Sequence, residues 1–533
     1  MTKHYTIGVD FGTLSARAVL LDTDTGATLP KDCTYVYPHG ILREIGGQIL
    51  PKNYALEHPA DYIEALEYII KGVIEANGID AYEVEGIGID ATTCTLIPVD
   101  KNGVPLCFDP RFENEPHAYV KMWKHHGAAP YMDKVKREAE RLSESFVSRS
   151  GTGISVETYI PKILETVSEA PEVYASADRI MHVGDFLVRL LIGTHVHSSA
   201  YASIKEGWDS SDGFPSKEYM RSLDTRLENV FEEKLGGEPT TAGTLAGYVC
   251  EEWSKKTGLS RDTAVAVGFV DAQAPFLAAS LENGLALISV GTSAAFCLNS
   301  YERKTIGGIM SCGVDALEKD MMTYDAGLCC VGDLFDWFVK TSVPASYENE
   351  AKDKGISIHK LLREKVQDQA VGEHGLIALG WWNGNRCTLA NSELSGVIVG
   401  MRLSTKPEDI YRALIEATAF GMKNIMNNYI NNGLEIKTIK VTGGIAKKDP
   451  LLMQIYADVL DRELHVIDSD QCTALGSAIC GAVASGRYEN TVQASAALQA
   501  GIAHTYYPIP ENVAAYAKLF DKYMTLHDYF GKQ

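Results

Sequence analysis

The stretch Tyr5-Thr6-Ile7-Gly8-Val9-Asp10-Phe11-Gly12-Thr13 opens the chain with a strand pattern that ends in a polar turn. A second strand is predicted soon after it, over 17–22. Such a turn offers backbone N–H groups and a hydroxyl to a phosphate, and it places the Asp10 carboxylate where Mg²⁺ would sit beside that phosphate. A plain hairpin with a polar turn is the alternative. The predicted phosphate contacts of this turn are Gly12, Thr13, Ser15 and Arg17.

A similar turn occurs in the second half of the chain, in Leu287-Ile288-Ser289-Val290-Gly291-Thr292-Ser293. Two strand–Gly-Thr–strand turns, one in each half, predict a duplicated α/β fold that binds ATP. The Asn-Gly signal in Glu282-Asn283-Gly284 marks the boundary, which gives domains 1–283 and 284–533. We expect the ATP site in the cleft between them. The second turn adds Gly291, Thr292 and Ser293 to the predicted nucleotide contacts.

The composition excludes several classes of partner. The chain has 533 residues and a formal net charge of −21, which argues against broad contact with nucleic acid or with an anionic membrane surface. No apolar stretch approaches the roughly 20 residues that a membrane helix needs, and the N-terminus lacks the pattern of a signal peptide. The 11 cysteines are scattered without metal-binding spacing, which is typical of reduced thiols in the cytoplasm.

Two further motifs lie at predicted strand ends. A helix is predicted over 59–77, and the strand that follows it, 84–90, leads into the polar loop Ala91-Thr92-Thr93-Cys94-Thr95. Much later, a strand over 438–442 runs into Gly443-Gly444-Ile445. Glycines let a backbone approach a flat ligand closely, and the ligand expected here is adenosine. A tight strand–helix connection without a ligand is the alternative.

Asp271 is the candidate catalytic residue. It directly follows an apolar strand predicted over 265–270, where a carboxylate can accept the proton of an attacking hydroxyl. An N-cap of the next helix is the alternative, since Asp also favours that position. We expect Asp271 to need no unusual pKa, because a carboxylate is already ionised at neutral pH. Lys205 is a candidate for binding substrate hydroxyls, with a solvated surface lysine as the alternative.

These motifs resemble those of the FGGY carbohydrate kinases and, within them, of the ribulokinases. The resemblance extends over nearly the whole chain. The family-level motifs are Gly8–Thr13, Gly291–Ser293 and Val441–Ala446. The motifs typical of ribulokinases are Glu115–His126, Asp409–Gly421, Pro450–Leu460 and Ala474–Ala478. The resemblance implies an actin-like fold of two ribonuclease-H-like domains, with closure of the cleft excluding water.

The resemblance also implies an activity. This is transfer of the γ-phosphoryl group of MgATP to the 5-hydroxyl of L-ribulose, a step of arabinose catabolism, by a homodimer. Asp271 matches the catalytic aspartate of the family, and Lys205 falls where ribulokinases place a sugar-binding lysine. The full set expected to bind the sugar is Thr92, Thr93, Lys205, Asp271 and Asp325.

One departure leaves the sugar open. Ribulokinases carry Glu-Ala-Gly-Gln where this chain has Asp325-Ala326-Gly327-Leu328, so the pocket could be reshaped. A kinase for another pentulose or polyol, such as D-ribulose, xylulose or glycerol, is therefore an alternative. A non-catalytic sugar- or nucleotide-binding protein is disfavoured because Asp10 and Asp271 are both present. An actin-like filament or chaperone ATPase is disfavoured by the acceptor aspartate.

Overall fold

The computed structural model describes residues 4–151 and 153–532. Within this part the chain forms two compact units. The first comprises the chain up to Glu282 with Cys312–Met322 and Gln471–Ala500, and the second comprises Asn283–Ser311, Thr323–Asp470 and the chain from Gly501. The predicted domains 1–283 and 284–533 were each continuous, so they missed two returns to the first unit. Residues 1–3 and 533 of those predicted domains lie outside the described residues.

The first unit is built on a seven-stranded mixed sheet. Its strands lie in the order Leu245–Tyr248, Ala264–Ala266, Val84–Ala91, Tyr5–Phe11, Ser15–Asp22 and Cys33–Val36, and Phe269–Val270 also pairs with Val84–Ala91. Tyr5–Phe11 pairs antiparallel with Ser15–Asp22 and parallel with Val84–Ala91. The carboxyl ends of the parallel strands therefore meet at one edge, where the predicted turn at Gly12 also lies.

Glycines explain why the chain returns to this sheet. Gly8 and Gly88 are register partners on adjacent strands. A Cβ on Gly8 would lie 1.8 Å from the Ala474 carbonyl oxygen, and one on Gly88 would lie 1.9 Å from that of Ser477. The Cys472–Ala484 helix thus packs with its backbone directly on the strands. That close approach, invisible in local sequence patterns, joins 471–500 to the first unit.

The helix Pro59–Asn77 shows how local sequence sets an element. Proline stands at its first turn, the His58 side chain accepts from the Ala60 N–H, and Gly78 ends it in the left-handed conformation with φ 66°. Its apolar face is buried in the core of the first unit: Tyr62, Ala65, Leu66, Ile69, Ile70 and Val73. The predicted bounds agree with the structure.

The second unit repeats the strand pattern of the first. Its sheet runs in the order Met322–Leu328, Ala294–Ser300, Leu285–Val290, Thr438–Thr442, Leu464–Ile467 and Ile502–Tyr506. Leu285–Val290 pairs antiparallel with Ala294–Ser300 and parallel with Thr438–Thr442. Each unit therefore has a hairpin with a Gly-Thr turn and a parallel strand beside it, as the duplicated motif predicted.

The remaining elements surround these sheets. In the first unit a smaller sheet contains Leu56–Glu57, Leu96–Val99, Val120–Lys121 and Arg179–His182, and a hairpin contains Glu44–Ile45 and Gln48–Ile49. Its other helices include Met132–Arg141, Phe146–Arg149, Tyr159–Glu169, Pro171–Ser176, Val183–Ile192, Ser199–Tyr201, Lys217–Leu223, Glu251–Thr257, Ala274–Ala278 and Thr491–Leu498, with π-helices at Ala202–Glu206 and Phe231–Leu235. The strand Ser311–Val314 lies where the chain first returns to the first unit, at Cys312.

The second unit has its own helices and a short hairpin. The helices are Gly332–Ser342, Ala345–Asp353, Ile358–Val366, Pro407–Asn431, Gly444–Lys448, Pro450–Leu460 and Pro510–Gly531, and the hairpin is Ile377–Leu379 with Val397–Val399. Over the described residues, none of the helices combines the length and apolarity that a bilayer crossing requires.

Candidate active site

The first Gly-Thr turn closes tightly between its two strands. The Gly12 N–H donates to the Ser15 carbonyl at 3.0 Å. The Thr13 hydroxyl accepts a hydrogen bond from the Trp123 indole N–H at 3.3 Å. Arg17 lies on the second strand, with its Nε 3.4 Å from a carboxylate oxygen of Asp10. The structure thus brings together all five residues predicted at this turn, and it adds Trp123.

Three carboxyl groups gather at the carboxyl ends of adjacent strands. Asp10 and Asp90 are register partners, and Phe269, two residues before Asp271, also pairs with Asp90. Burial and then the neighbouring charge of Asp10 raise the pKa of Asp90 well above its ordinary value. Burial raises the pKa of Asp10 as well, while Arg17 opposes that rise. Asp90 was missed from sequence, although Gly88-Ile89-Asp90 repeats the pattern of Gly8-Val9-Asp10.

The carboxyl group of Asp271 has a raised pKa. It follows Phe269–Val270 and opens a short 3₁₀ turn, Asp271–Gln273, with its side chain half-buried. Burial first, and then the charge of Asp10, raise the pKa of Asp271 to about 7, whereas the Ala272 N–H and Lys205 lower it. Sequence reasoning required no unusual pKa for Asp271, and the structure adds one through the burial of its carboxyl group and the charge of Asp10.

The donor set at these strand ends fits a divalent cation. Mg²⁺ prefers carboxylate oxygens, usually one or two, with water and substrate phosphates completing its shell. Asp10 is 8% exposed and Asp90 is fully buried, and both lie beside the first Gly-Thr turn. The charge of Asp10, which raises the pKa of both Asp90 and Asp271, would be stabilised by a cation. Asp10, as predicted, and Asp90 are the residues that could hold it.

The loop after Val84–Ala91 is held by a buried lysine. Lys162 is fully buried, and its Nζ donates to the carbonyl oxygens of Cys94 at 2.7 Å, Met122 at 2.9 Å and Trp123 at 3.1 Å. Cys94 adopts a positive φ of 52°, which non-glycine residues rarely do. The lysine therefore fixes a strained loop against the segment that contacts Thr13. Sequence reasoning missed Lys162, which lies on Tyr159–Glu169.

The two threonines of this loop differ in their contacts. The Thr92 hydroxyl is buried and shares a hydrogen bond with that of Thr95 at 2.7 Å. The Thr93 hydroxyl is buried and makes no hydrogen bond to any residue that the structure describes. An unpaired buried hydroxyl costs free energy until a partner arrives. Thr93 is thus the better placed of the two to bind a ligand.

Lys205 lies on the π-helix Ala202–Glu206, half-buried. Single π-helical turns are rare and often mark functional sites. The charge of Lys205 acts on Asp271 and, with Lys162, on the Cys94 thiol. Within the described residues its ammonium makes no ion pair. The structure therefore places a cation close to the predicted base, as a sugar-binding lysine requires.

The second Gly-Thr turn borders a cavity of about 500 Å³ in the second unit. The Thr292 carbonyl accepts from the N–H groups of Val331 at 2.8 Å and Asp333 at 3.2 Å, which ties the turn to the Gly332–Ser342 helix. Four predicted nucleotide contacts line this cavity: Gly291, Thr292, Gly444 and Ile445. Ser293 and Gly443 are not among its lining residues.

The two glycines after Thr438–Thr442 have different roles. Gly443 has φ 107°, and a Cβ there would lie 2.3 Å from the Val290 carbonyl oxygen, so this position needs glycine for packing. A Cβ on Gly444 would meet no atom within 4 Å. Since Gly444 also lines the cavity, the space beside it is open to a ligand.

Polar side chains that sequence reasoning missed also line this cavity. His359 bonds through Nδ1 to the Tyr411 hydroxyl at 3.0 Å, and Arg363 donates to Asp449 at 3.0 Å. His359 and Arg363 are four residues apart on Ile358–Val366, so they share one helix face. This four-residue spacing is the sequence signal that could have identified His359 and Arg363 as neighbours.

Asp325 belongs to the second unit, on the strand Met322–Leu328. Its Oδ1 accepts from the Cys297 thiol at 3.1 Å, and its carbonyl accepts from the Met310 N–H at 2.7 Å. The other predicted sugar contacts all lie in the first unit. A sugar-binding role of Asp325 stays a prediction.

Comparison with known proteins shows the family of this chain. Residues 5–278 match the N-terminal domain of the FGGY family of carbohydrate kinases, and residues 286–485 match its C-terminal domain. A ribulokinase of Geobacillus thermodenitrificans is 41% identical over 100% of this chain and 95% of its own length. A ribulokinase of Bacillus licheniformis is 42% identical over 98% and 96%.

Solved structures share the fold. A ligand-bound xylulose kinase of Lactobacillus acidophilus superposes with a TM-score of 0.80 at 19% identity, covering 99% of both chains. A gluconate kinase of the same organism gives 0.80 at 19% identity, covering 99% of this chain and 98% of its own. These neighbours confirm the predicted α/β actin-like fold. From both family domains and the full-length relatives, the chain belongs to the FGGY family of carbohydrate kinases.

Proposed function

We propose that this chain transfers the γ-phosphoryl group of MgATP to the 5-hydroxyl of L-ribulose. Two relatives named ribulokinase, at 41% and 42% identity over 95% and 96% of their lengths, support this substrate. The observation that carries the proposal is the placement of Asp271 at a strand end with Lys205 acting on it. An acid–base group beside a cation is what a sugar hydroxyl needs before it attacks phosphorus.

In the proposed mechanism Asp271 is the general base. Lys205 and the Thr93 hydroxyl hold the sugar, and the 5-hydroxyl oxygen attacks the γ-phosphorus as its proton passes to a carboxylate oxygen of Asp271. The new O–P bond forms while the bond from the γ-phosphorus to the β–γ bridging oxygen breaks, and ADP leaves. A pKa of about 7 leaves a large fraction of Asp271 ionised at neutral pH and also makes it a stronger base than an ordinary carboxylate.

Asp10 and Asp90 would hold Mg²⁺, which supplies positive charge to the phosphate oxygens when bound. Arg17 lies 3.4 Å from Asp10 and orients that carboxylate. The Gly12 N–H already donates to the Ser15 carbonyl, so the phosphate oxygens are bound by the Thr13 hydroxyl and by other backbone N–H groups of the turn. These groups position charge and exclude water, which is most of what phosphoryl transfer asks of a protein.

The adenosine is proposed to occupy the cavity of the second unit. Its volume of about 500 Å³ is in the range of small-molecule sites. Gly444 leaves room for a flat base, and Thr292 with the Gly291 backbone lies at the phosphate end. His359 and its neighbours supply polar partners on the opposite wall.

A sugar panel tests the substrate. ADP release is coupled to NADH oxidation with L-ribulose, D-ribulose, xylulose and glycerol, and ³¹P–¹H NMR locates the phosphate on the product. L-ribulose should give the highest kcat/KM, with phosphate on O5. Asp271→Asn should lose most of kcat while still binding the sugar. ATP turnover that ignores every added sugar, or near-normal turnover of Asp271→Asn, would refute the proposal.

The runner-up is a kinase for another pentulose. The shorter acid at Asp325, already bonded to Cys297, is the observation that favours it. Preference for D-ribulose or xylulose in the panel would establish this reading.

We further propose a cytoplasmic homodimer. All 11 cysteines are free thiols, which supports a reducing compartment. The dimer rests on the family resemblance, and mass photometry at nanomolar protein would test it: a single species at twice the 58.2 kDa chain mass is expected.

A further inference from the structure

A buried carboxylate bridges two histidines beneath the proposed sugar site. Glu206 lies against His182, with 3.0 Å between its Oε1 and the His182 Nε2, and its Oε2 accepts a hydrogen bond from the His197 Nε2 at 3.0 Å. All three side chains are at most 1% exposed. Burial opposes ionisation of Glu206, but the two imidazoles more than compensate and lower its pKa to about 2. The proposed mechanism uses none of these groups.

This cluster holds the segment that carries Lys205. Glu206 is the last residue of the π-helix Ala202–Glu206, and Gly207 ends it with φ 82°. Glu206 is the chain neighbour of Lys205, and its carboxylate is anchored to two residues outside the π-helix. His182 ends the strand Arg179–His182, and His197 precedes the Ser199–Tyr201 helix. The π-helix is thus fixed from two directions through one side chain.

The same cluster reaches toward Asp271. The His182 ring stacks on the Tyr201 ring, with centroids 4.5 Å apart and an interplanar angle of 7°. The Tyr201 hydroxyl donates to the Phe269 carbonyl at 2.8 Å, two residues before Asp271. One buried network therefore borders both Lys205 and Asp271.

We propose that Glu206 is a positioning residue, which orients Lys205 toward the sugar by anchoring the π-helix to His182 and His197. This inference rests on the proposed sugar-kinase function. A π-helix inserts an extra residue per turn and re-aims the side chains that follow. It persists only where surrounding contacts determine it, and the Glu206 carboxylate, hydrogen-bonded to His197 and packed against His182, is such a contact. Buried ionic groups are costly, so a role in fixing one conformation accounts for this one.

A purely structural role predicts a different result from a positioning role. If Glu206 only stabilises the first unit, its loss lowers the melting temperature and affects both substrates through the unfolded fraction. If it orients Lys205, its loss raises the sugar KM in enzyme that is still folded. The KM for ATP then stays unchanged, because the predicted nucleotide contacts lie elsewhere.

The test compares Glu206→Gln with Asp185→Asn. Asp185 is a matched control, because it is also buried, at 2% exposure, and its charge also acts on His197. It lies on the Val183–Ile192 helix and not on the π-helix. We expect Glu206→Gln to raise the sugar KM at least tenfold with the ATP KM within twofold, and Asp185→Asn to leave both within twofold. Lys205→Met should raise the sugar KM at least as much as Glu206→Gln.

A folded Glu206→Gln with an unchanged sugar KM would overturn the proposal, as would equal effects of Glu206→Gln and Asp185→Asn. If Glu206→Gln does not fold, His197→Gln and His197→Leu take its place. Gln keeps an N–H donor for Glu206 and should keep the sugar KM within threefold, whereas Leu should raise it tenfold; equal values for the pair would refute positioning.

Failure of the proposed function can be distinguished from failure of the positioning role of Glu206. It appears in the unmodified enzyme as no sugar-dependent turnover, whereas failure of the positioning role appears only in the variants. The kinetics use whichever sugar the unmodified enzyme phosphorylates best.

Discussion

Replacing Lys162 by methionine separates the stability of the first unit from the geometry of its sugar loop. Methionine has a similar length and no charge or donor, so Lys162→Met removes the three hydrogen bonds that tie Cys94, Met122 and Trp123 together. We expect a folded protein with a small change in stability and a large loss of kcat/KM for the sugar.

The effect on stability follows from two opposing terms. Burial lowers the pKa of Lys162 from 10.5 to about 8, which corresponds to about 3 kcal/mol against the folded state at neutral pH. Methionine removes that cost. Met122 keeps a second donor, the His125 N–H at 3.0 Å. The carbonyls of Cys94 and Trp123 are left unpaired, at about 1–3 kcal/mol each. The sum is a change in stability between about 1 kcal/mol of stabilisation and about 3 kcal/mol of destabilisation.

The effect on activity comes from freeing the loop. Without Lys162 the positive-φ residue Cys94 relaxes, and Thr93 moves with it. Re-ordering the backbone of two residues on binding costs about 1 kcal/mol each. A total of about 2 kcal/mol is about a 30-fold loss of kcat/KM for the sugar. Steady-state kinetics measure this loss, and calorimetry measures the melting temperature.

Lys134→Met is the matched control. Lys134 also donates its Nζ to a backbone carbonyl of the first unit, that of Leu223, away from the loop. The Lys134→Met variant should keep kcat/KM for the sugar within twofold of the value for the unmodified enzyme. A folded Lys162→Met with near-normal sugar kinetics would refute the reasoning, and so would a Lys134→Met that loses as much activity.

Three more predictions concern the cavity of the second unit, the acidity of Asp271 and the stability contributed by His197. Gly444→Ala should raise the KM for ATP at least tenfold in kinetic assays with no change in melting temperature, because its Cβ meets only open space; Gly307→Ala, equally open, is the neutral control. Below the Asp271 pKa of about 7, kcat/KM for the sugar should fall tenfold per pH unit. A pH profile in which kcat/KM begins to fall only near pH 4 would contradict this. The pKa of His197 is raised from 6.5 to about 8, so it should contribute about 2 kcal/mol below pH 6.5 that is lost as the pH rises through 8. Urea unfolding at pH 6 and pH 9, with His197→Gln as the variant that lacks this difference, measures it.

Local patterns predicted the elements that carry their own signals. Pro59–Asn77 has its cap, its proline and its glycine within the helix itself, so its bounds agree with the structure. The two Gly-Thr turns were found because each is a contiguous strand–turn–strand motif. The position of Asp271 after a strand was predicted for the same reason, although Val267 and Gly268 separate the strands Ala264–Ala266 and Phe269–Val270 where one strand was predicted.

Features that depend on distant partners were missed. Lys162 looks like a surface lysine in sequence, and only the folded loop shows its three carbonyl partners. Asp90 became a candidate once its strand was seen to pair with that of Asp10. The raised pKa of Asp271 needed the same neighbours. The return of 471–500 depends on Gly8 and its partners meeting a helix nearly 470 residues later, and no local pattern encodes that contact.

The duplicated Gly-Thr hairpins have acquired different chemistry from their surroundings. In the first unit the strand before the turn ends in an acid, Asp10, and the neighbouring parallel strand contributes another, Asp90. In the second unit the corresponding strand ends in Ser289-Val290 and its parallel neighbour in Val441-Thr442, none of them ionisable. The charge of Asp10 raises the pKa of the acids on the adjacent strands, Asp90 and Asp271, and such a cluster suits a cation and a general base. Uncharged strand ends beside an open cavity suit a nucleoside. The shared backbone therefore supplies two similar Gly-Thr turns, and under the proposed function the side chains at the strand ends decide which part of the reaction each turn serves.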